Sequence, residues 1–366
     1  MSEVADNQHM ARAIQLARRG LFSTSPNPRV GCVLVRNGQV VGEGWHEKAG
    51  GPHAEVVALE RAGSQASGAD VYLTLEPCSH HGRTPPCSQA LIEAAVARVV
   101  VAQRDPNPQV DGSGIGELEN AGIIVETGLM ADLAEAINPG FNKRMRSGLP
   151  FVRSKLATSL DGRTAMASGE SQWITGAAAR RDVQRWRARS CAIFSGSGTV
   201  IADNPSLNQR LEGEERQPLR VIVDSGLRVP VDAKCLNLDG PRLLVTTDDK
   251  IPLAGAYQDR GVDVLGLAPR PDGKVDLRQL MLELGKRHIN EVLVEAGPLL
   301  NGALLAAKLV DELLVYQASH VMGNDARGMF TLAGLVKMNQ RIQLERKDLR
   351  LVGDDLRMLF AISDND

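Results

Sequence analysis

Aromatic residues are scarce in this chain of 366 residues: phenylalanine, tryptophan and tyrosine together make up 3%. That shortage argues against a base-stacking platform for single-stranded nucleic acid. An excess of basic charge is also missing. Lysine and arginine total 42 against 44 acidic residues, a formal net charge of −2. The balance stays near even on either side of residue 147, so no basic domain hides behind an acidic one and no nucleic-acid partner is expected. Cysteine is sparse and odd in number (Cys32, Cys78, Cys87, Cys191 and Cys235), which leaves a disulfide framework without support. The longest apolar runs, such as residues 96–102, are far too short to span a bilayer, so no membrane partner is expected. The first ten residues carry two acidic side chains and no apolar core, and no signal peptide is expected there. A soluble, cytoplasmic protein with small-molecule chemistry is the expectation.

A chain of this length defaults to two domains, at roughly 100–200 residues per domain. Residues 10–19 put Ala11, Ile14, Leu16 and Ala17 on one apolar face and predict a helix. Segments 30–36 and 39–45 flank Asn37-Gly38, a strong hairpin signal. The pattern then predicts a helix over 53–62, a strand over 71–75 and a helix over 87–95. A strand over 98–102, a helix over 115–121, a strand over 123–126 and a long helix over 129–146 follow. Helices between the later strands imply parallel pairing, and the opening hairpin makes the sheet mixed. The expected first domain is an α/β/α sandwich over residues 1–147. Ser147-Gly148-Leu149-Pro150, directly after the basic helical end Lys143, Arg144 and Arg146, is a stop signal. Residues 148–366 restart the alternation, with strands over 151–158, 192–195, 219–224, 243–246, 262–267, 291–295 and 312–317. Helices are expected over 176–189, 277–286 and 299–308, a surface loop over 208–217 and a closing hairpin over 342–362.

Three features of the first domain converge on a metal. His53-Ala54-Glu55 opens a helix, Pro77-Cys78 follows a strand, and Cys87 opens the next helix. One imidazole and two thiolates supply three of the four positions that tetrahedral Zn²⁺ wants, and an open fourth position is the mark of a catalytic site. Water there becomes a nucleophile near neutral pH. Glu55, two residues from the ligand, can carry protons between that water and a leaving amine. This is the H-x-E and P-C-x-x-C layout of zinc-dependent base deaminases, except that eight residues separate the thiols here instead of two. Two rival readings stand beside it. The cysteines could be small core residues, as Cys32 is expected to be. A closed Cys₂His₂ site could recruit His80 or His81, although His80 is too near Cys78 for the usual ligand spacing. Taken together, His53, Glu55 and the Pro-Cys junction favour a zinc hydrolytic deaminase.

The same residues carry a resemblance. Ser25-Pro26-Asn27-Pro28-Arg29-Val30-Gly31-Cys32, Gly51-Pro52-His53-Ala54-Glu55 and the run PCSHHGRTPPC at 77–87 closely resemble the bifunctional riboflavin-biosynthesis deaminase/reductase (RibD) family, whose own pattern includes the long cysteine spacing. The resemblance continues through KLATSLDGRTA at 155–165, GESQWIT at 169–175, TVIADNP at 199–205 and VEAGP at 294–298, and so covers nearly the whole chain. It implies a cytidine-deaminase-like α/β/α sandwich followed by a dihydrofolate-reductase-like α/β domain. It implies zinc-dependent removal of the 2-amino group from 2,5-diamino-6-(5-phosphoribosylamino)pyrimidin-4(3H)-one. NADPH-dependent reduction of the ribosyl side chain of 5-amino-6-(5-phosphoribosylamino)uracil to ribityl then follows. Carried over residue by residue, His53, Cys78 and Cys87 would bind Zn²⁺, Glu55 would be the proton shuttle and Asn27 would contact the pyrimidine. Asn27 reads equally well as a turn residue capping its own backbone. The resemblance places NADPH against Ala157, Trp173, Thr199, Asp203, Ser225 and Gly297. It places substrate at Ser171, Arg187, Leu207, Arg210 and Glu295, with Lys155 and Asp161 as further candidates. It also implies a homodimer or larger homo-oligomer.

On their own, the second-domain residues say less. Gly196-Ser197-Gly198-Thr199 and Ala296-Gly297-Pro298 are strand-to-helix turns at which backbone can approach phosphate, but no full G-x-G-x-x-G fingerprint is present. Most of Arg180, Arg181, Arg185, Arg187 and Arg189 read as a solvated helix face. Arg187 and Arg210 are the two chosen to grip the substrate phosphate, since a guanidinium fork matches its oxygens. Glu295 could bind a ribose hydroxyl or position the reacting carbon. The acid for the reduction stays open among Lys155, Glu295 and solvent. The rival functions are a nucleic-acid-editing deaminase, opposed by the charge balance, and a zinc scaffold, which would be indifferent to Glu55→Ala.

Overall fold

The computed structural model describes residues 3–79, 86–108, 110–214 and 216–363. His80 and His81 lie outside the described residues. The chain divides into two compact units, Met1–Gly148 and Leu149–Asp366. Gly148 ends the first in the left-handed region at φ 73°, a conformation that glycine adopts without a Cβ penalty.

The first unit runs α1 (Glu3–Ala17), β1 (Gly31–Arg36), β2 (Gln39–Trp45), α2 (Ala54–Ala62), β3 (Asp70–Leu73), α3 (Cys87–Glu93), β4 (Arg98–Val101), α4 (Ser113–Asn120), β5 (Ile124–Thr127), α5 (Ala131–Glu135) and α6 (Pro139–Ser147). Its five-stranded sheet has the order β2-β1-β3-β4-β5. β1 pairs antiparallel with β2 and β3, and the later pairs are parallel. Asn37 and Gly38 both take positive φ and close the predicted hairpin. Period-two alternation then sorts β1 between two cores. Cys32 and Leu34 pack with α2 and α3 on one face, while Val33 and Val35 pack with α1 on the other. The expected single helix over 129–146 is instead two, because Pro139 lacks the N–H that a helix interior needs and serves as the first residue of α6. Asn138, at the break, exchanges two side-chain hydrogen bonds of 2.8 Å with the backbone of Arg29.

The second unit contains β6 (Phe151–Thr158), β7 (Arg163–Ala165), α7 (Ala177–Arg189), β8 (Ala192–Gly196), α8 (Ser197–Asp203), β9 (Leu219–Val223), α9 (Lys234–Asn237), β10 (Arg242–Thr247), α10 (Gly255–Gln258) and β11 (Asp263–Leu267). It continues with α11 (Leu277–Lys286), β12 (Glu291–Val294), α12 (Pro298–Ala306), β13 (Glu312–Gln317), β14 (Arg327–Gly328), β15 (Leu344–Val352) and β16 (Asp355–Ile362). Nine strands form one sheet in the order β11-β10-β9-β8-β12-β6-β13-β16-β15. It is parallel from β11 to β13, and the closing hairpin adds two antiparallel strands. Helices α11 and α12 pack on one face, with Phe194, Val221, Val245 and Val294 beneath them. Ile193, Ile222 and Leu244 point into the core on the opposite face. The short helices α8, α9 and α10 and the two-stranded pairing of β7 with β14 carry too few residues to leave a periodic signal. The 208–217 segment is more than a surface loop, since Gln209 is buried and its amide bonds the carbonyls of Glu214 and Arg216.

Candidate active sites

In the first unit, Gly44 on β2 lets α2 press close. A Cβ there would meet the carbonyl oxygen of Ala54 at 2.1 Å, so a larger residue would push away the start of the helix that carries the site. His53 is the N-cap of α2, with extended backbone, and Glu55 is buried in its first turn. Cys87 begins α3. His53 Nδ1 lies 3.2 Å from Cys87 Sγ and 3.6 Å from Cys78 Sγ, and the Cys87 N–H donates to Cys78 Sγ at 3.4 Å. All three ligand atoms fall within 4.8 Å of one another. Zinc, with bonds of about 2.0 Å to nitrogen and about 2.3 Å to sulfur, requires nitrogen and sulfur ligands roughly 3.5 Å apart in a tetrahedron, so the donor set fits the ion. Zinc binding requires both sulfurs as thiolates and the imidazole neutral. Cys78 is pushed down to about 4, first by its hydrogen bond with Cys87 and then, against desolvation, by His53, while Cys87 is raised. Burial pushes the Glu55 carboxyl up.

Two supports escaped sequence reasoning. Glu76 is buried and accepts four backbone N–H groups, from Asp105 and Gly112 on one oxygen and Gly114 and Ile115 on the other, at 3.0–3.3 Å. It thereby ties the start of α4 beside Pro77-Cys78, and a Cβ on Gly114 would meet the Pro77 carbonyl at 2.0 Å. Ser88 donates its backbone N–H and its hydroxyl to the Cys78 carbonyl, each at 3.2 Å. The signal available in the sequence was a carboxylate directly before Pro-Cys, which has no reason to be buried unless it binds the backbone. Asn27 also reaches this region. His46 Nδ1 donates to the Pro52 carbonyl at 2.9 Å, so its Nε2 accepts from Asn27 Nδ2 at 3.1 Å. The His46 ring meets His53 edge to face, with centroids 5.4 Å apart. That pairing turns the Asn27 amide so that its oxygen stays available as an acceptor.

In the second unit, a cleft of about 1350 Å³ opens along the carboxyl ends of the parallel strands. Ala157, Trp173, Thr199, Asp203, Ser225 and Gly297 all line it, as do Ser171, Arg187, Leu207, Arg210 and Glu295. Thr199 Oγ1 accepts the Gly297 N–H at 3.1 Å and ties together the two glycine turns. Ser171 donates to Asp203 at 3.0 Å, and Trp173 is 69% exposed with the Arg180 guanidinium 4.6 Å from its ring centroid. Leu207 is buried in the core at φ 47° and also lines the cleft. Glu295 and Arg187 form a two-pronged ion pair, and Arg187 also donates to the Asn208 carbonyl at 2.9 Å. Burial would raise Glu295, but Arg187, and after it Lys155 and Arg210, hold it down at about 2. Lys155 lies in the same cleft, its pKa lowered by burial and by Arg187 against the opposing pull of Glu295. Asp161 is not among the cleft residues. Its carboxylate accepts the backbone N–H groups of Met322 and Gly323 and so organises a turn. Arg189 is no solvated residue either, since it pairs with the buried Glu291 at 3.0 Å.

A mixed sheet carrying an His/Cys/Cys cluster beside a buried glutamate, followed by a largely parallel sheet with a nucleotide-sized cleft, defines the class: a zinc deaminase joined to a reductase. The cytidine and deoxycytidylate deaminase zinc-binding region matches residues 3–103, and the RibD C-terminal domain matches residues 150–358. The chain is 52% identical to the riboflavin biosynthesis protein RibD of Escherichia coli K12, over 96% of this chain and 98% of that protein. It is 50% identical to the Haemophilus influenzae protein, over 96% of each. Among solved structures, Acinetobacter baumannii RibD superposes with a TM-score of 0.92 at 47% identity, covering 99% of both chains. A diaminohydroxyphosphoribosylaminopyrimidine deaminase/5-amino-6-(5-phosphoribosylamino)uracil reductase from Thermotoga maritima does so at 0.87 and 30%, covering 98% of this chain and 99% of that one. The chain belongs to the RibD family. It is a bifunctional enzyme of riboflavin biosynthesis, with a zinc-dependent deaminase activity and an NADPH-dependent reductase activity.

Proposed function

We propose that residues 1–147 deaminate 2,5-diamino-6-(5-phosphoribosylamino)pyrimidin-4(3H)-one and that residues 148–366 reduce the ribosyl group of the resulting uracil. The observation that carries the first half is the His53, Cys78 and Cys87 cluster within 4.8 Å beside buried Glu55. Those three side chains hold zinc, which when bound supplies Lewis acidity toward water. Glu55 accepts a proton at its carboxylate as water adds to the amino-bearing carbon, then returns it to the departing nitrogen, which leaves as ammonia. Asn27, oriented by His46, offers its amide oxygen to the pyrimidine edge.

In the second half, NADPH supplies the hydride, and the protein orients the reactants and excludes water. All the residues assigned to either ligand line this one cleft; in this reading Ala157, Trp173, Thr199, Asp203, Ser225 and Gly297 take the cofactor, and Ser171, Leu207, Arg187, Arg210 and Glu295 take the substrate. Glu295, held at about 2, stays ionised at neutral pH and is no proton donor. Lys155, in the same cleft with its pKa lowered by burial, is the candidate to protonate the nitrogen or ring oxygen. Arg187 spends both prongs on Glu295, so Arg210, whose guanidinium donates to Asn208 at 2.9 Å, takes the substrate phosphate. The enzyme works in the cytoplasm as a homo-oligomer on this small phosphorylated pyrimidine, with no nucleic-acid or membrane partner. Among the described residues, no helix is long and apolar enough to cross a membrane.

The test follows ammonia release from the diaminopyrimidinone ribotide and NADPH oxidation together. Wild type releases ammonia with or without NADPH and oxidises NADPH only after deamination. Glu55→Ala stops both signals, and supplying the deaminated uracil restores the second. Undiminished ammonia release by Glu55→Ala would overturn the assignment.

A further inference from the structure

Asn138 occupies the N-cap position of α6, yet its side chain does not cap that helix. Asparagine is among the most favoured capping residues, because its amide oxygen can accept an orphan N–H of the first turn. Here that oxygen accepts the Arg29 N–H instead, and the amide nitrogen donates to the Arg29 carbonyl, both at 2.8 Å across 109 residues of sequence. Asn138 is buried, so an unmade bond on either side would carry the full desolvation cost of its partner. The buried Arg29 guanidinium completes the grip by donating to the Ile137 carbonyl at 2.6 Å. The junction of α5 and α6 therefore holds Arg29 at its N–H, at its C=O and at its side chain.

Only Pro28 separates Arg29 from Asn27. The pyrrolidine ring locks the Pro28 φ and also restricts the backbone of the residue before it. With Arg29 fixed, few torsions remain through which Asn27 could move. The Asn27 N–H donates to the Thr24 carbonyl at 2.8 Å, and its side chain reaches His46 Nε2 at 3.1 Å. Beyond Arg29, the Val30 carbonyl accepts the His46 N–H at 3.0 Å and the Gly31 N–H donates to Thr74 Oγ1 at 3.1 Å. A Cβ on Gly31 would meet the Ala13 carbonyl oxygen at 2.0 Å, so α1 lies directly against the segment there. Asn138 thus supplies the anchor between two others, nearest to Asn27 on its C-terminal side.

We infer that Asn138 is a positioning residue of the deaminase site: by gripping the backbone of Arg29 on both sides it sets, through rigid Pro28, where the Asn27 amide meets the pyrimidine. The inference rests on the reading of Asn27 as the pyrimidine contact. A contact made alike in the ground state and the transition state changes KM and leaves kcat. A displaced Asn27 amide therefore weakens substrate binding without touching Glu55 or the zinc ligands. A residue that only stabilised the fold would instead lower the fraction of active enzyme, which reduces the apparent kcat and leaves KM.

The experiment measures ammonia release from the diaminopyrimidinone ribotide by the full-length, zinc-loaded protein, with zinc content checked by metal analysis. Wild type is compared with Asn138→Ala, Asn138→Asp, Asn27→Ala and the double variant Asn27→Ala/Asn138→Ala. Asn138→Ala loses both bonds to Arg29. Asn138→Asp keeps an acceptor for the Arg29 N–H but turns an oxygen toward its carbonyl, and it carries the test if the alanine variant does not fold. In each Asn138 variant KM should rise about 10-fold, the scale of one hydrogen bond to substrate, with kcat per bound zinc within about twofold of wild type. Asn27→Ala should raise KM at least as much, and the double variant no further, since Asn138 acts through Asn27. An unchanged KM in the Asn138 variants overturns the inference, whatever happens to kcat, and leaves the Asn27 reading standing if Asn27→Ala raises KM. A double variant in which the two factors multiply overturns it too. An unchanged KM in Asn27→Ala overturns the reading of Asn27 itself, and the inference with it.

Discussion

Arg187 and Glu295 face each other across the second-unit cleft as a planar fork and a carboxylate, with Nε at 2.6 Å from one oxygen and Nη2 at 2.9 Å from the other. Their side chains are 11% and 12% exposed, so the pair is mostly desolvated and its geometry is set by both partners at once. Such a pair costs more to break from one side than it contributes when intact.

Arg187→Lys keeps the charge and loses the fork, because an ammonium cannot meet both oxygens in that plane. The reductase kcat/KM should fall roughly 10- to 100-fold while ammonia release by the first unit is unchanged. An unaltered kcat/KM on supplied uracil substrate would mean that the fork does not position Glu295 for the reaction.

The same pair predicts an acid limb. The Glu295 pKa is lowered from 4.5 to about 2, so its contribution to stability is fully present above pH 4.5 and is lost as pH falls through 2. Urea midpoints of the second unit's transition, followed between pH 6 and pH 2, should decline through that window. Glu295→Gln should flatten that part of the decline, and an unchanged pH dependence in the variant would refute the linkage.

Removing zinc should separate the two activities. A strong chelator should abolish ammonia release, whereas NADPH oxidation on supplied 5-amino-6-(5-phosphoribosylamino)uracil should persist, because the proposed zinc ligands His53, Cys78 and Cys87 all belong to the first unit. Cys78→Ser should behave like chelation. Glu55→Gln should instead retain stoichiometric zinc by metal analysis and lose about 10²–10⁴-fold in deamination, the range for a general acid–base.

Glu76 is a structural counterpart to these changes. Glu76→Ala leaves four backbone N–H groups near Cys78 without their acceptor, at a cost of about 1–3 kcal/mol for each one that water cannot reach. The first unit should lose stability in urea, and zinc should pass to a chromophoric chelator faster than from wild type. Zinc release at the wild-type rate would show that the clamp does not hold Cys78.

Elements whose cause is local were readable along the chain. Asn37-Gly38 dictates its hairpin because both residues tolerate positive φ, and β1 declares its two faces through simple alternation. Pro139 was equally legible as the first residue of a helix, yet the expected helix over 129–146 ran through it. His53, Cys78 and Cys87 were readable as a set because a metal needs particular donor types, and those types, with Glu55 two residues from His53, are rare enough to stand out.

What the sequence determined by itself was therefore the donor chemistry, the hairpins and the alternation of strands and helices. The tertiary structure decided which charges meet. Glu76 gathers amides from 29 to 39 residues away, and Glu295 finds Arg187 at a separation of 108. Whether an arginine on α7 is solvated, ion-paired like Arg189 or locked onto a carboxylate like Arg187 depends on where the sheet places its neighbours. Electrostatic interaction depends on distance and burial, and neither is encoded in the spacing of residues along a chain.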